Sequence, residues 1–134
     1  MEHTKRYTVI TGASSGIGCE TAKAFADRSK NLIIAARRTE NLETLKREIA
    51  EQYPALDVVV RTVDLSVLEN VYQFYSSLKG FQLETWVNNA GLSAVVSATG
   101  DRARVYKAIM ARSRAEAILI LRCFPFLSRI FICR

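Results

Sequence analysis

Thr11-Gly12-Ala13-Ser14-Ser15-Gly16-Ile17-Gly18 is the stretch that decides the fold. Ahead of it stands Tyr7-Thr8-Val9-Ile10-Thr11, a β-branched and apolar run of the kind that forms a strand buried on both faces. Behind it, Ala22, Phe25 and Ala26 recur at helical spacing, so a helix is predicted from about Ile17 to Arg28. The glycine string is therefore a strand-to-helix turn. At such a turn the backbone N–H groups and the positive end of the helix can hold a pyrophosphate. Glycines permit the tight turn, the close approach of backbone to phosphate and the close packing of helix on strand. A glycine-rich string alone is weak; one placed between a buried strand and a helix points to dinucleotide binding.

Outward from that turn the chain alternates. Asn31–Ala36 (NLIIAA) reads as a second buried strand. A helix follows, with Thr39 as its expected N-cap and Leu42, Leu45 and Ile49 as its apolar stripe. Leu56–Val63 is the third strand; Ser66 and Glu69, at capping-box spacing, precede a helix carrying Val71, Phe74 and Leu78, and Gly80 ends it. Thr85–Asn89 is the fourth strand and leads into Ala90-Gly91. Strand and helix in strict alternation imply an α/β fold, a Rossmann-like parallel sheet with flanking helices and right-handed crossovers. No internal repeat or low-complexity linker interrupts it.

Three further features fall at strand ends. Arg37-Arg38 closes the second strand, where a site for NAD usually places an acid about 20 residues past the glycines to bind the ribose hydroxyls. Arg37 can pair with a 2′-phosphate, and Arg38 can stack on adenine or add charge; a solvated start to the helix is the alternative. The missing acid favours NADP(H) over NAD(H) whichever holds. Asp64-Leu65 follows the third strand; the carboxylate can accept from an adenine amino group with the leucine on the ring, or it can cap the next helix. Asn88-Asn89-Ala90-Gly91 closes the fourth strand with small residues against which a ribose can lie.

TGASSGIG, ARR, DL and NNAG, in this order and spacing, resemble the short-chain dehydrogenase/reductase family over about residues 5–91. The resemblance implies that Gly12, Ser14, Ser15, Gly16, Ile17 and Gly18 bind the pyrophosphate side. It implies that Arg37 and Arg38 select NADP(H), that Asp64 and Leu65 hold adenine, and that Asn89, Ala90 and Gly91 line the riboses. It further implies hydride transfer between nicotinamide and a carbonyl or alcohol, carried by a serine, a Tyr-x-x-x-Lys pair and an asparagine after the fourth strand. The one Tyr-x-x-x-Lys, Tyr75 to Lys79, precedes that strand and is read as a chance match on a surface helix. Tyr106-Lys107 has the wrong spacing, and no asparagine follows Gly91. No catalytic residue is assigned, and little or no turnover is expected of this chain.

The charge distribution breaks at the same place. Residues 1–91 carry 11 basic and 11 acidic side chains, residues 92–134 carry 8 and 2, and seven of those eight bases are arginine. The whole net charge of +6 thus sits in the last third of the 134 residues. The sequence divides into an NADP(H)-binding Rossmann half-domain, 1–91, and a divergent basic tail, 92–134. The coincidence of charge break, arginine usage and motif loss favours truncation or a shifted reading frame after NNAG over a natural short relative. In the tail, Val105, Ala108, Ile109, Ala115, Ile118 and Leu119 suggest a helix over 105–122, while 123–134 fit no element. Such a tail is expected to cover the otherwise bare fourth strand as a helix, or to pack on another copy and give a homo-oligomer.

Composition excludes several classes. The longest apolar stretch, AILILRCFPFLSRIFIC, is broken by Arg122, Pro125 and Arg129, so no membrane span is expected. The first residues lack a secretory apolar core, which reads as cytoplasmic. Cys19, Cys123 and Cys133 have no metal-ligand spacing, and His3 is the sole histidine, so neither metal nor histidine chemistry is expected. The arginines of the tail interleave with apolar residues and lack an aromatic platform, which argues against nucleic acid. The alternative to an oxidoreductase portion is a non-catalytic nucleotide-binding or interaction module docking through its C-terminal helix.

Overall fold

A computed structural model of the chain describes residues 4–89, 117–121 and 130–133. Its elements run β1 (Arg6–Thr11), α1 (Gly16–Asp27), β2 (Asn31–Ala36), α2 (Thr39–Gln52), β3 (Val58–Thr62), α3 (Leu68–Ser77), β4 (Gln82–Asn88), β5 (Ala117–Leu121) and β6 (Ile130–Cys133). They build one sheet in the order β3-β2-β1-β4-β5-β6. The first five strands are parallel, and β6 returns antiparallel to β5.

The two-residue period of each strand divides the core between two faces. Ile10, Leu32, Ile34 and Val87 face one way and meet Ala22 and Ala26 of α1 and Leu42, Leu45 and Ile49 of α2. Val9, Ile33, Ala35 and Trp86 face the other way and meet Val71 and Phe74 of α3. The Phe74 and Trp86 rings meet edge to face, with centroids 5.9 Å apart. Helices on both faces bury the inner strands beyond their first residue, which is why β1 and β2 read as largely apolar, β-branched runs. Since α1 and α2 lie on one side and α3 on the other, the β1–α1 turn and the start of α3 meet at the C-terminal ends of the strands, across the point where the sheet order reverses at β1. Open sheets of this type form their ligand crevice there.

Four expectations need correction, the first being that 123–134 fit no element: Ile130–Cys133 form β6. Residues 117–121 are extended, not helical: Thr85–Asn88 of β4 pair in parallel with Ala117–Ile120 of β5. The physical reason is the bare edge of β4, whose backbone N–H and C=O groups need partners that a helix cannot supply. Residues 105–116 and 122, the rest of the expected helix, lie outside the described residues. Thr39 is the first residue of α2 rather than its cap, and its hydroxyl meets that of Thr62 at 2.8 Å. Val67, not Ser66, occupies the N-cap position of α3 and makes no side-chain capping bond, and the Ser66 hydroxyl bonds to Asp64 Oδ1 at 2.7 Å.

Among the described residues no helix is long and apolar enough to cross a membrane.

Candidate functional site

The glycine turn is held from three directions. From β2, the Ala35 carbonyl accepts from Gly12 N at 2.8 Å and from Ala13 N at 3.3 Å. From the end of β4, Asn89 donates its backbone N–H to Thr11 Oγ1 and its side-chain amide to the Gly12 carbonyl, both at 3.2 Å. From α2, Asn41 Nδ2 donates to the Ser14 carbonyl at 3.2 Å. Gly12 and Gly16 adopt φ of 69° and 57°, the left-handed region where a side chain is strained. Gly18 is needed for a different reason. A Cβ there would overlap the Gly12 carbonyl oxygen and the Asn89 amide nitrogen.

This packing delivers the start of α1 bare to the crevice. Ser15, the N-cap, is extended at φ −164° and makes no side-chain capping bond, and the first turn carries no acid. The N–H groups of the first helical turn have no acceptor within the helix. Together with the helix dipole they form a site for an anion. Ile17 stands beside them with 54% of its surface exposed, an apolar side chain on a polar rim.

Arg37 and Arg38 follow β2 directly, and both are exposed. Arg37 shares a cleft of about 430 Å³ with Thr62, Val63, Asp64, Asn70 and Gln73. The Asp64 carboxylate is held below its ordinary range by the Ser66 hydroxyl, then by the Ser66 N–H, with the Arg37 guanidinium adding to the effect. Its Oδ1 is thus engaged by Ser66, in the turn before α3. Leu65 is 8% exposed and packs in the α3-side core. Asn88 is buried and Asn89 half-buried at the end of β4. Ala90 and Gly91 lie outside the described residues.

So Gly12 to Gly18, Arg37, Asp64 and Asn89 converge at one end of the sheet. Tyr75 and Lys79 do not. α3 runs back from that end, placing Tyr75 and Lys79 at the remote pole. Asn41 is the residue that sequence reasoning missed; an exposed polar side chain in the first turn of a helix carries no signal of the bond it makes.

The family model for short chain dehydrogenase matches residues 6–122. The chain belongs to the short-chain dehydrogenase family. Among its relatives, a very-long-chain 3-oxoacyl-CoA reductase of the yeast Vanderwaltozyma polyspora is 40% identical over 91 residues, covering 65% of this chain and 25% of that protein. The solved short-chain dehydrogenase from Sphingobium yanoikuyae in complex with NADPH superposes with a TM-score of 0.67 at 23% identity, over 79% of this chain and 47% of that one. L-sorbose reductase from Gluconobacter frateurii, complexed with NADPH and L-sorbose, gives 0.64 at 25% identity, over 82% and 46%. The chain spans between a quarter and a third of the length of such curated relatives. The match of the family model extends beyond Gly91 and takes in β5, which continues the parallel sheet.

Proposed function

We propose that residues 1–91 are the NADP(H)-binding half of an oxidoreductase that transfers hydride between nicotinamide and a carbonyl or alcohol. The uncapped, acid-free start of α1, set beside two exposed arginines at the end of β2, carries the reading. One end suits a pyrophosphate. The other suits a 2′-phosphate, because no acid stands at the end of β2 to repel it or to claim the ribose hydroxyls. The relatives that carry NADPH in their solved structures support the same cofactor class.

The residues fit the group. Gly12, Ser14, Ser15, Gly16, Ile17 and Gly18 would hold the pyrophosphate, through backbone N–H groups and the serine hydroxyls. Arg37 would pair with the 2′-phosphate and Arg38 would lie along the adenine. Asp64 would accept from the adenine amino group, with the edge of Leu65 against the ring. Asn89, with Ala90 and Gly91, would line the riboses. The bound nicotinamide supplies or accepts the hydride. The 134-residue chain alone is expected to bind the cofactor with little carbonyl reduction, because its one Tyr-x-x-x-Lys lies at the remote pole of α3.

Thermal melting with added cofactor tests the reading. NADPH should raise the melting temperature more than NADH, and Arg37→Ala should erase the difference. A charge-assisted hydrogen bond contributes about 1.5–3 kcal/mol, so the lost NADPH preference corresponds to at least tenfold in affinity. Equal shifts for the two cofactors in the unsubstituted chain would refute NADP(H) selection.

A further inference from the structure

We infer that Asn41 is a positioning residue for cofactor selection, fixing the phosphate turn against the arginine pair. The inference rests on the NADP(H) reading above. The two halves of the site sit on different elements: the turn joins β1 to α1, and the arginines join β2 to α2. At their base they are tied through Ala35, whose carbonyl takes Gly12 N and Ala13 N. At the rim, where a ligand would lie, the tie is Asn41 Nδ2 to the Ser14 carbonyl at 3.2 Å. Asn41 lies in the first turn of α2, three residues after Arg38 and four after Arg37. Any swing of this turn of α2 therefore carries the arginines with it.

The bond also fixes the turn's own polarity. A donor on the Ser14 carbonyl keeps that oxygen directed toward α2, away from the N–H groups at the start of α1. A carbonyl facing an incoming pyrophosphate would repel it, so the amide of Asn41 removes one unfavourable dipole from the anion site. Its stronger effect falls on the ligand that spans both elements. NADPH touches the turn with its pyrophosphate and the arginines with its 2′-phosphate, and loses if their separation wanders. NADH has no 2′-phosphate for Arg37 to hold, so it depends less on that separation.

Asn41→Ala removes the donor, and Asn41→Leu removes it while keeping the size of the side chain. The position is exposed, in the first turn of a helix, so both variants should fold. The test is titration of NADPH and of NADH into the full chain and both variants, followed by Trp86 fluorescence and calorimetry, with the melting temperature of the ligand-free proteins alongside. Loss of one hydrogen bond is worth about fivefold in affinity. NADPH should weaken by about fivefold and NADH by less than twofold, equally in both variants. A residue that merely stabilised the fold would lower the melting temperature and weaken both cofactors together. An unsubstituted chain that prefers NADPH, with variants that keep the same NADPH-to-NADH ratio, overturns the role of Asn41 and leaves the NADP(H) reading standing. An unsubstituted chain without NADPH preference removes the NADP(H) reading, and this inference with it.

Discussion

Gly18→Ala separates close packing from backbone freedom. Alanine in place of glycine in a helix interior ordinarily gains up to about 1 kcal/mol. Here the added Cβ meets the Gly12 carbonyl and the Asn89 amide, with the Gly12 carbonyl carbon 2.8 Å away. Gly12 cannot retreat freely, since its N–H is bonded to Ala35 O at 2.8 Å. The Asn89 side chain can retreat, but only by giving up its 3.2 Å bond to Gly12 O, a loss of about 1 kcal/mol. Displacing α1 from the turn adds the cost of overpacking, about 1–3 kcal/mol. The clash outweighs the propensity gain, and a net loss of about 1–3 kcal/mol is expected. At roughly 4 °C per kcal/mol for a domain of this size, the melting temperature should fall by about 4–12 °C. Thermal unfolding followed by circular dichroism measures it. Gly80→Ala is the control: Gly80 has no positive φ and nothing among the described residues within 4 Å of an added Cβ. There the substitution only restricts the unfolded chain and should stabilise by about 0.4–1 kcal/mol. If Gly18→Ala melts at or above the unsubstituted protein, or shifts as Gly80→Ala does, the close approach of α1 to the turn and to Asn89 is wrong.

Two other perturbations follow from buried polar groups. Thr8 Oγ1 is buried on β1 and has no hydrogen-bond partner among the described residues, so Thr8→Val should be neutral or stabilising by about 1–2 kcal/mol in denaturant melts; a clear loss would show that the hydroxyl is satisfied. Tyr7 donates to Asp57 Oδ2 at 2.6 Å, so burial first and then this bond push the phenol up to about 12, while the same bond holds the Asp57 carboxyl below its ordinary value. A raised phenol stabilises the fold fully below pH 10 and loses that contribution as pH rises toward about 12. A lowered carboxyl stabilises above its ordinary 3.8 and loses that contribution as pH falls through the lower folded value. Tyr7→Phe should therefore flatten both the alkaline and the acid limb of a stability-versus-pH profile, and an unchanged profile would refute the coupling.

Much of the fold was legible because a single physical cause governed each stretch. Residues 7–11 and 32–36 are buried between helices on both faces, so their sequences are apolar or β-branched and read as inner strands. Leu42, Leu45 and Ile49 repeat because one face of α2 meets the sheet. The glycine turn was legible because backbone geometry at Gly12 and Gly16, and close packing at Gly18, each admit little but glycine. Helix caps were less legible. Thr39 and Ser66 are good capping residues by type, but Thr62, brought near by the fold, and Asp64, two residues before Ser66, took their hydroxyls first.

The stretch Ala117–Leu121 shows where local reading stops. A run of five apolar residues has no period long enough to separate a buried strand from a buried helix. Flanked by alanines and charged residues, it extends an apolar stripe that begins at Val105, and the helical reading follows. What decides against it is not in the run itself but in β4, whose outer edge presents unpaired backbone groups beside the buried Trp86 and Val87. A strand satisfies that edge and covers the apolar face together; a helix does only the second. Asn41 obeys the same logic at the scale of one side chain. Its role depends on the Ser14 carbonyl, 27 residues away along the chain, which only the assembled sheet brings within reach. The residues proposed to bind the cofactor were therefore readable one motif at a time, whereas a side chain that bonds across two motifs became visible only once both were in place.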